Sequence, residues 1–194
     1  MHKPEEFMVF KTSMLRKVGY FSGIHRDVEK YYTAIIKDMA YTFMQRSVAE
    51  ENIDFKQVIP YIIIKNNNRY LSYQRGKLLS EKRLLAKFSI GFGGHVQYDE
   101  AAMTGDYTYS LRRELKEELN VKEIISDSLI GVINDDSDAV GKVHFGFVHE
   151  LLVGDEDVRS NEKSINKLTY YTLEELKSRV DEYENWSRFV IESL

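Results

Sequence analysis

"SIGFGGHVQYDE", residues 89–100, sets three glycines, a histidine and two acids between two short runs of strand-forming residues. "RELKEELNV", residues 113–121, follows as a helical segment with three glutamates. Either these are an ordinary turn and an ordinary charged helix, or they are two halves of one site. At about 100° per residue, Glu114, Glu117 and Glu118 fall within an arc of roughly 100° on one helix face. Leu111, Leu115 and Leu119 form a separate i, i+4, i+8 stripe suited to a core, and Arg112 and Lys116 point in a third, solvent-facing direction. Like charges at helical spacing repel by about 0.2–0.5 kcal/mol per pair. Arg113 and Lys116 can offset part of that, which makes a solvated, salt-bridged helix one reading. A hard divalent cation is the other, because Mg²⁺ takes oxygen ligands and keeps waters and substrate phosphates in its shell. Asn120 is expected to close the helix in the left-handed conformation.

Outward from this pair of segments, the chain shows no internal repeat and no low-complexity tract. Its only prolines are Pro4 and Pro60, so no proline-rich linker divides it. "FMVFKTSML", from Phe7, reads as a short strand. Residues 27–49 read as one helix opened by Asp27, with Tyr31, Ile35, Met39 and Phe43 recurring every four residues as a buried stripe. "VIPYIIIK" and "RYLSYQR" around "NNN" predict a β-hairpin whose asparagines tolerate positive φ. "KFSIGF" and "HVQY" are further strand candidates, and "EIISDSLIGVIN" and "KVHFGFVHELLV" predict longer strands. "KLTYYT" is a last strand before one or two terminal helices, in which Trp186 reads as an anchor. Strands and helices interleave without regular βαβ alternation, so the expected class is α+β, with a mixed β-sheet sandwiched between helices.

Composition narrows the function. A chain of 194 residues is long enough for one well-buried core. Its formal net charge of −4 argues against broad attraction to a nucleic-acid backbone or an anionic membrane, and leaves room for a small phosphorylated substrate beside a metal ion. There is no cysteine, so disulfides, thiolate zinc sites and cysteine nucleophiles are excluded, and a reducing cytoplasm is compatible. "MHKPEEFMVFK" carries acids and a proline where a signal peptide needs an unbroken apolar run. A cytoplasmic protein is the expectation.

The spacing of the two segments resembles the Nudix box of the MutT/Nudix hydrolase family, G-x5-E-x7-R-E-U-x-E-E-x-G-U, with U a bulky apolar residue. Gly94 and Glu100 satisfy its first part and residues 113–121 its second, with Asn120 in place of glycine. Twelve residues separate Glu100 from Arg113, five more than the pattern has. The insertion lies within "AAMTGDYTYS", ahead of the helix, where Gly105 or Asp106 is expected to start the first turn. It leaves the spacing inside the helix intact and puts the placement of Glu100 in question. The likeness extends to the hairpin before the box and to "KLTYYTLEEL" after it, covering about residues 56–180. Residues 1–55 have no counterpart in the minimal domain. They are similar to the amino-terminal extension of a bacterial subgroup of predicted MutT-type phosphoesterases. The expected organisation is therefore a strand-helix extension, 1–55, packed on a Nudix domain, 56–194.

The resemblance implies hydrolysis of a pyrophosphate bond in a nucleoside diphosphate derivative or related phosphate compound, with Mg²⁺ or Mn²⁺ as cofactor. Glu114, Glu117 and Glu118 would bind the metal, the Gly93 carbonyl would be a further ligand, and Arg113 would hold a glutamate by a charge-assisted hydrogen bond. Glu100 would be a weaker ligand or a loop-stabilising residue. The general base would be a box glutamate or a later carboxylate. Glu150 is favoured over Asp155 and Glu156, although an exposed strand residue is its plainer reading. His95, His144 and His149 could meet a phosphate or simply be satisfied sheet residues. The thirteen tyrosines could stack on a base or fill a core. A Nudix-fold module that binds a nucleotide without cutting it is the alternative function, and three mutually repelling carboxylates count against it. Isopentenyl diphosphate isomerases share the fold but use a cysteine, which this chain lacks. The amino-terminal segment is expected either to cover the cleft or to build a homodimer.

Overall fold

The computed structural model describes residues 5–76, 87–98, 106–154, 157–163 and 165–194. Strands and helices interleave along the chain, so the α+β expectation holds. Among the described residues no helix is long and apolar enough to cross a membrane. By internal contacts the chain divides into two compact units. One comprises Met1–Tyr61, Gly93–Arg112 and Leu129–Val148, and the other Ile62–Phe92, Arg113–Ser128 and His149–Leu194.

In the first unit, β1 (Glu6–Lys11) lies antiparallel to β3 (Tyr41–Gln45), Phe7 opposite Met44 and Val9 opposite Thr42. Its other edge takes the start of β4 (Phe55–Asn66), with Lys11 opposite Phe55. The short helix α1 (Ser13–Val18) follows β1, and β2 (Gly23–His25) pairs with the end of β9 (Ile124–Asn134). Met8, Phe10, Leu15, Tyr31, Ile35 and Phe145 belong to one buried cluster. Burying such side chains contributes about 1.5–3 kcal/mol each before entropy is counted.

The single helix expected over residues 27–49 does not form. Helix α2 (Val28–Tyr32) runs into a π-helical turn, Thr33–Lys37. The chain then reverses at Met39, whose φ of 51° no helix allows. Tyr31 and Ile35 are buried as the stripe requires, but Met39 is 66% exposed. Tyr41, Thr42 and Phe43 are aromatic or β-branched residues that suit a strand, and pairing with β1 satisfies their backbone, after which α3 (Arg46–Ala49) adds one turn. "HVQY" makes only an isolated bridge, Gln97 to Phe7, together with the bonds Met8 N–H to Val96 O and Tyr98 N–H to Glu6 O.

In the second unit the predicted hairpin is present: Lys65 of β4 faces Tyr70 of β5 (Arg69–Arg75), and Asn67 turns the chain at φ 51°. β12 (Ile165–Thr172) pairs antiparallel along the other edge of β5. "KFSIGF" divides into β6 (Phe88–Ser89), on β5, and β7 (Gly91–Phe92), on β4. The break falls at Ile90, whose N–H bonds the Ser187 hydroxyl instead of a strand. Thr172 and Glu175 form a capping box that starts α6 (Leu173–Ser178). Glu184 caps α7 (Asn185–Ser193), accepting from the N–H groups of Trp186 and Ser187.

Candidate functional site

The acidic helix, α4, runs Thr108–Glu118. Asp106, one of the two residues expected to open the first turn, starts it, one carboxylate oxygen accepting from the Thr108 N–H and hydroxyl; the other, Gly105, lies outside the described residues. Leu111, Leu115 and Leu119 are each at most 4% exposed, which fixes the helix by its apolar stripe and turns the glutamates away from it.

The arrangement beyond that stripe lies in the second unit. One Arg113 nitrogen, Nη1, reaches Glu114 Oε1 at 3.0 Å and Glu117 Oε2 at 3.4 Å. A single guanidinium thus serves two carboxylates. The two are unequal: the Glu114 side chain is 15% exposed and that of Glu117 53%. Burial pushes the Glu114 carboxyl above the usual carboxylate range; Arg113 opposes this, while Glu117 and Glu162 add to it. Glu118 is half-buried, and its charge is felt by Tyr73, whose hydroxyl is pushed up to about 12 chiefly by burial.

The end of the helix departs from expectation. Leu119 and Asn120 form a two-residue strand, β8, paired with β11 (Arg159–Ser160), so Asn120 is extended and not left-handed. Asn161 then meets the helix carbonyls, its N–H bonding Glu118 O and its side-chain amide Lys116 O, both at 2.9 Å. These bonds satisfy acceptors that every helix leaves open at its C-terminus. They also bring in Glu162, a carboxylate acting on Glu114 that the sequence reading missed. No motif marks it, and it lies in the turn after a strand only two residues long.

Glu150, on β10 (His144–Val153), is a held group. Lys65 Nζ lies 3.6 Å from one carboxylate oxygen, and the Tyr70 hydroxyl donates to the other at 3.4 Å. His149 Nδ1 lies 2.7 Å from Asp127 Oδ1. Glu100, Asp155 and Glu156 lie outside the described residues.

The glycine loop belongs to the first unit. Gly93 has φ 140°, and a Cβ there would sit 2.0 Å from the Pro60 carbonyl oxygen. Only glycine fits this backbone. His95 beyond it stacks on Phe7, ring centroids 4.0 Å apart, and its Nε2 is 3.1 Å from His144 Nε2. His144 Nδ1 donates to Val140 O at 2.7 Å, so neutral His144 must accept the His95 N–H through Nε2. Burial holds the His144 imidazole below its ordinary range. All three histidines therefore have structural partners.

Whether these residues fit a divalent cation can be judged from their chemistry. The glutamates offer hard oxygen donors of the kind Mg²⁺ or Mn²⁺ takes, and one arginine is shared between two of them. Among the described residues no three histidines, aspartates or glutamates already converge on a point. The donor set fits, with the acidic helix as its source. Gly93 lies in the first unit, and a part for its carbonyl rests on the motif alone.

No known family model matches the chain. It is similar to Protein YmaB of Bacillus subtilis (strain 168), with 36% identity over 195 residues spanning 96% of this chain and 92% of that one. It is also similar in structure to Tm1382, described as a putative Nudix hydrolase, with TM-score 0.82 and 28% identity over 97% of each chain. A Francisella tularensis bifunctional NMN adenylyltransferase/ADP ribose pyrophosphatase, complexed with AMP and a Mn ion, shares the fold. There the TM-score is 0.53 and identity 16%, over 72% of this chain and 41% of that one. The first two matches cover 96% and 97% of this chain, so they take in most of residues 1–55 as well.

Proposed function

The chain belongs to the MutT/Nudix hydrolase family, and from that membership we propose that it cuts a pyrophosphate bond in a nucleoside diphosphate derivative or related phosphate compound, using Mg²⁺ or Mn²⁺. The observation that carries the reading is the Arg113 guanidinium shared between Glu114 and Glu117 on a helix anchored by its leucines. Three carboxylates on one helix face, two of them sharing one guanidinium, are the hard oxygen donors that a divalent cation takes.

A bound divalent ion would neutralise phosphate charge and acidify water, which the anionic substrate otherwise repels. The chain's own residues supply the rest. Glu114, Glu117 and Glu118 would hold the ion through their carboxylate oxygens, with Glu117 the most open of the three to solvent. Arg113 restrains Glu114 and Glu117 so that neither rotates away, a positioning role through two charge-assisted contacts. Glu162 is solvent-exposed and follows Asn161, which bonds the carbonyls at the end of the acidic helix, and this makes it a candidate proton acceptor. Glu150, with both oxygens engaged by Lys65 and Tyr70, suits a structural charge better than a base. A protein without cysteine working in a reducing cytoplasm is consistent with this chemistry.

The test incubates the purified chain with dinucleotides, nucleotide sugars and nucleoside triphosphates, with and without Mg²⁺, beside Glu117→Gln. Metal-dependent release of phosphate or nucleotide, lowered about a hundred-fold or more in the variant, is the expected result. Tight binding of a panel member with no turnover would instead favour a nucleotide-sensing module.

A further inference from the structure

The first unit contains a cavity of about 680 Å³ whose lining includes no residue of the glycine loop or the acidic helix. Lys11, Arg16 and Lys142 line it, together with Asp54 and Asp136. Its walls are tied in place. On one side the Thr12 N–H bonds Asp54 O at 2.8 Å and the Thr12 hydroxyl bonds Ile53 O at 2.9 Å, which holds the end of β1 against the start of β4. On the other stands Lys56, with a fully buried side chain. Its ammonium reaches Asp136 Oδ1 at 2.8 Å and the carbonyls of Gly141, Lys142 and His144 at 2.9, 3.1 and 3.3 Å. Lys142 therefore projects from backbone that a buried cation clamps.

The charges in this cavity do not balance. Asp136 is spent: Lys56 takes one oxygen and the Tyr20 hydroxyl donates to the other at 2.8 Å. Among the described residues Lys11, Arg16 and Lys142 make no side-chain ion pair, and Asp54 is the one remaining acid in the lining. Two positive charges are left in excess, presented by three side chains from β1, α1 and the short helix α5 (Ala139–Lys142), which follows β9 in sequence. One guanidinium and two ammonium groups match a compact dianion with several acceptor oxygens. We infer that this cavity binds a small phosphate dianion, either inorganic phosphate or the head of a phosphomonoester, through Lys11, Arg16 and Lys142. The site stands apart from the hydrolytic reading, and its test does not depend on turnover.

The experiment titrates the full chain, freed of metal with EDTA, with inorganic phosphate and separately with glycerol phosphate. Calorimetry gives the affinity, and amide shifts in NMR spectra give the location. Saturable binding is expected, with shifts at residues 11–16 and 142. Arg16→Ala and Lys142→Ala should each weaken it about ten-fold without changing the melting temperature, since both side chains are exposed. Affinity should fall as salt rises. Tighter binding of glycerol phosphate would identify a phosphomonoester; equal or weaker binding would identify the inorganic ion. The inference is overturned if neither ligand saturates, if both variants bind as the parent does, or if acetate binds as tightly as phosphate.

Discussion

Replacing Gly93 by alanine tests the loop geometry directly. The added Cβ would start 2.0 Å from the Pro60 carbonyl oxygen, and the next atom, the Pro60 carbonyl carbon, is 3.2 Å away. Ordinary contact begins near 3.4 Å, so backbone on one side must move by more than an ångström. Neither side is a flexible side chain. The φ of 140° also lies where alanine is strained, at about 1–3 kcal/mol. Adding overpacking of about 1–3 kcal/mol gives a loss of roughly 2–6 kcal/mol. For a chain of this size each kcal/mol moves the melting temperature by about 2–4 °C, so Gly93→Ala should melt some ~4–24 °C lower. Thermal denaturation followed by circular dichroism, with urea unfolding as a second measure, reads this out. A variant that melts with the parent and unfolds at the same urea concentration would show that the close approach to Pro60 is wrong, and the requirement for glycine with it.

Lys56→Met should destabilise the first unit by about 3 kcal/mol in urea unfolding, near the low end for a broken buried pair, because Asp136 stays 31% exposed and water recovers part of its charge. Glu162→Gln should lower kcat by about a hundred-fold or more if Glu162 takes the proton; Glu150→Gln should change kcat much less, and the reverse order would return the base to Glu150. His144 contributes a pH dependence of known sign. Its folded pKa is depressed, so between that value and 6.5 the unfolded chain binds more protons and stability falls as pH drops. Melting temperatures between pH 7.5 and 5.5 should show this fall, and His144→Gln should flatten it.

The acidic helix of the candidate site was legible in the linear chain, because its determinants are local. The leucine stripe at 111, 115 and 119 fixes a helix face by spacing alone, and all three are buried as that spacing requires. Asn67 turning the β4–β5 hairpin is equally local, a residue tolerant of positive φ between two strand-forming runs. Where the reading failed, a distant partner outweighed local preference. Residues 41–45 continue a helical period of four, but β1, more than thirty positions earlier, offers a ladder that their aromatic and β-branched side chains fill better. Asn120 is suited to a left-handed cap, yet Arg159 draws it into an extended pair. The same pairing carries Asn161 onto the helix end and Glu162 toward Glu114, contacts some forty-five positions apart with no periodicity to announce them. The buried Lys56 reads in sequence as one polar residue in a strand; its acceptors on Asp136 and residues 141–144 exist only once the chain has closed on itself. The sequence by itself determined which segments are helical or extended where periodicity and turn chemistry agree. Tertiary structure decided which charges meet, since a charge's partner is chosen by proximity after packing and leaves no periodic trace in the chain.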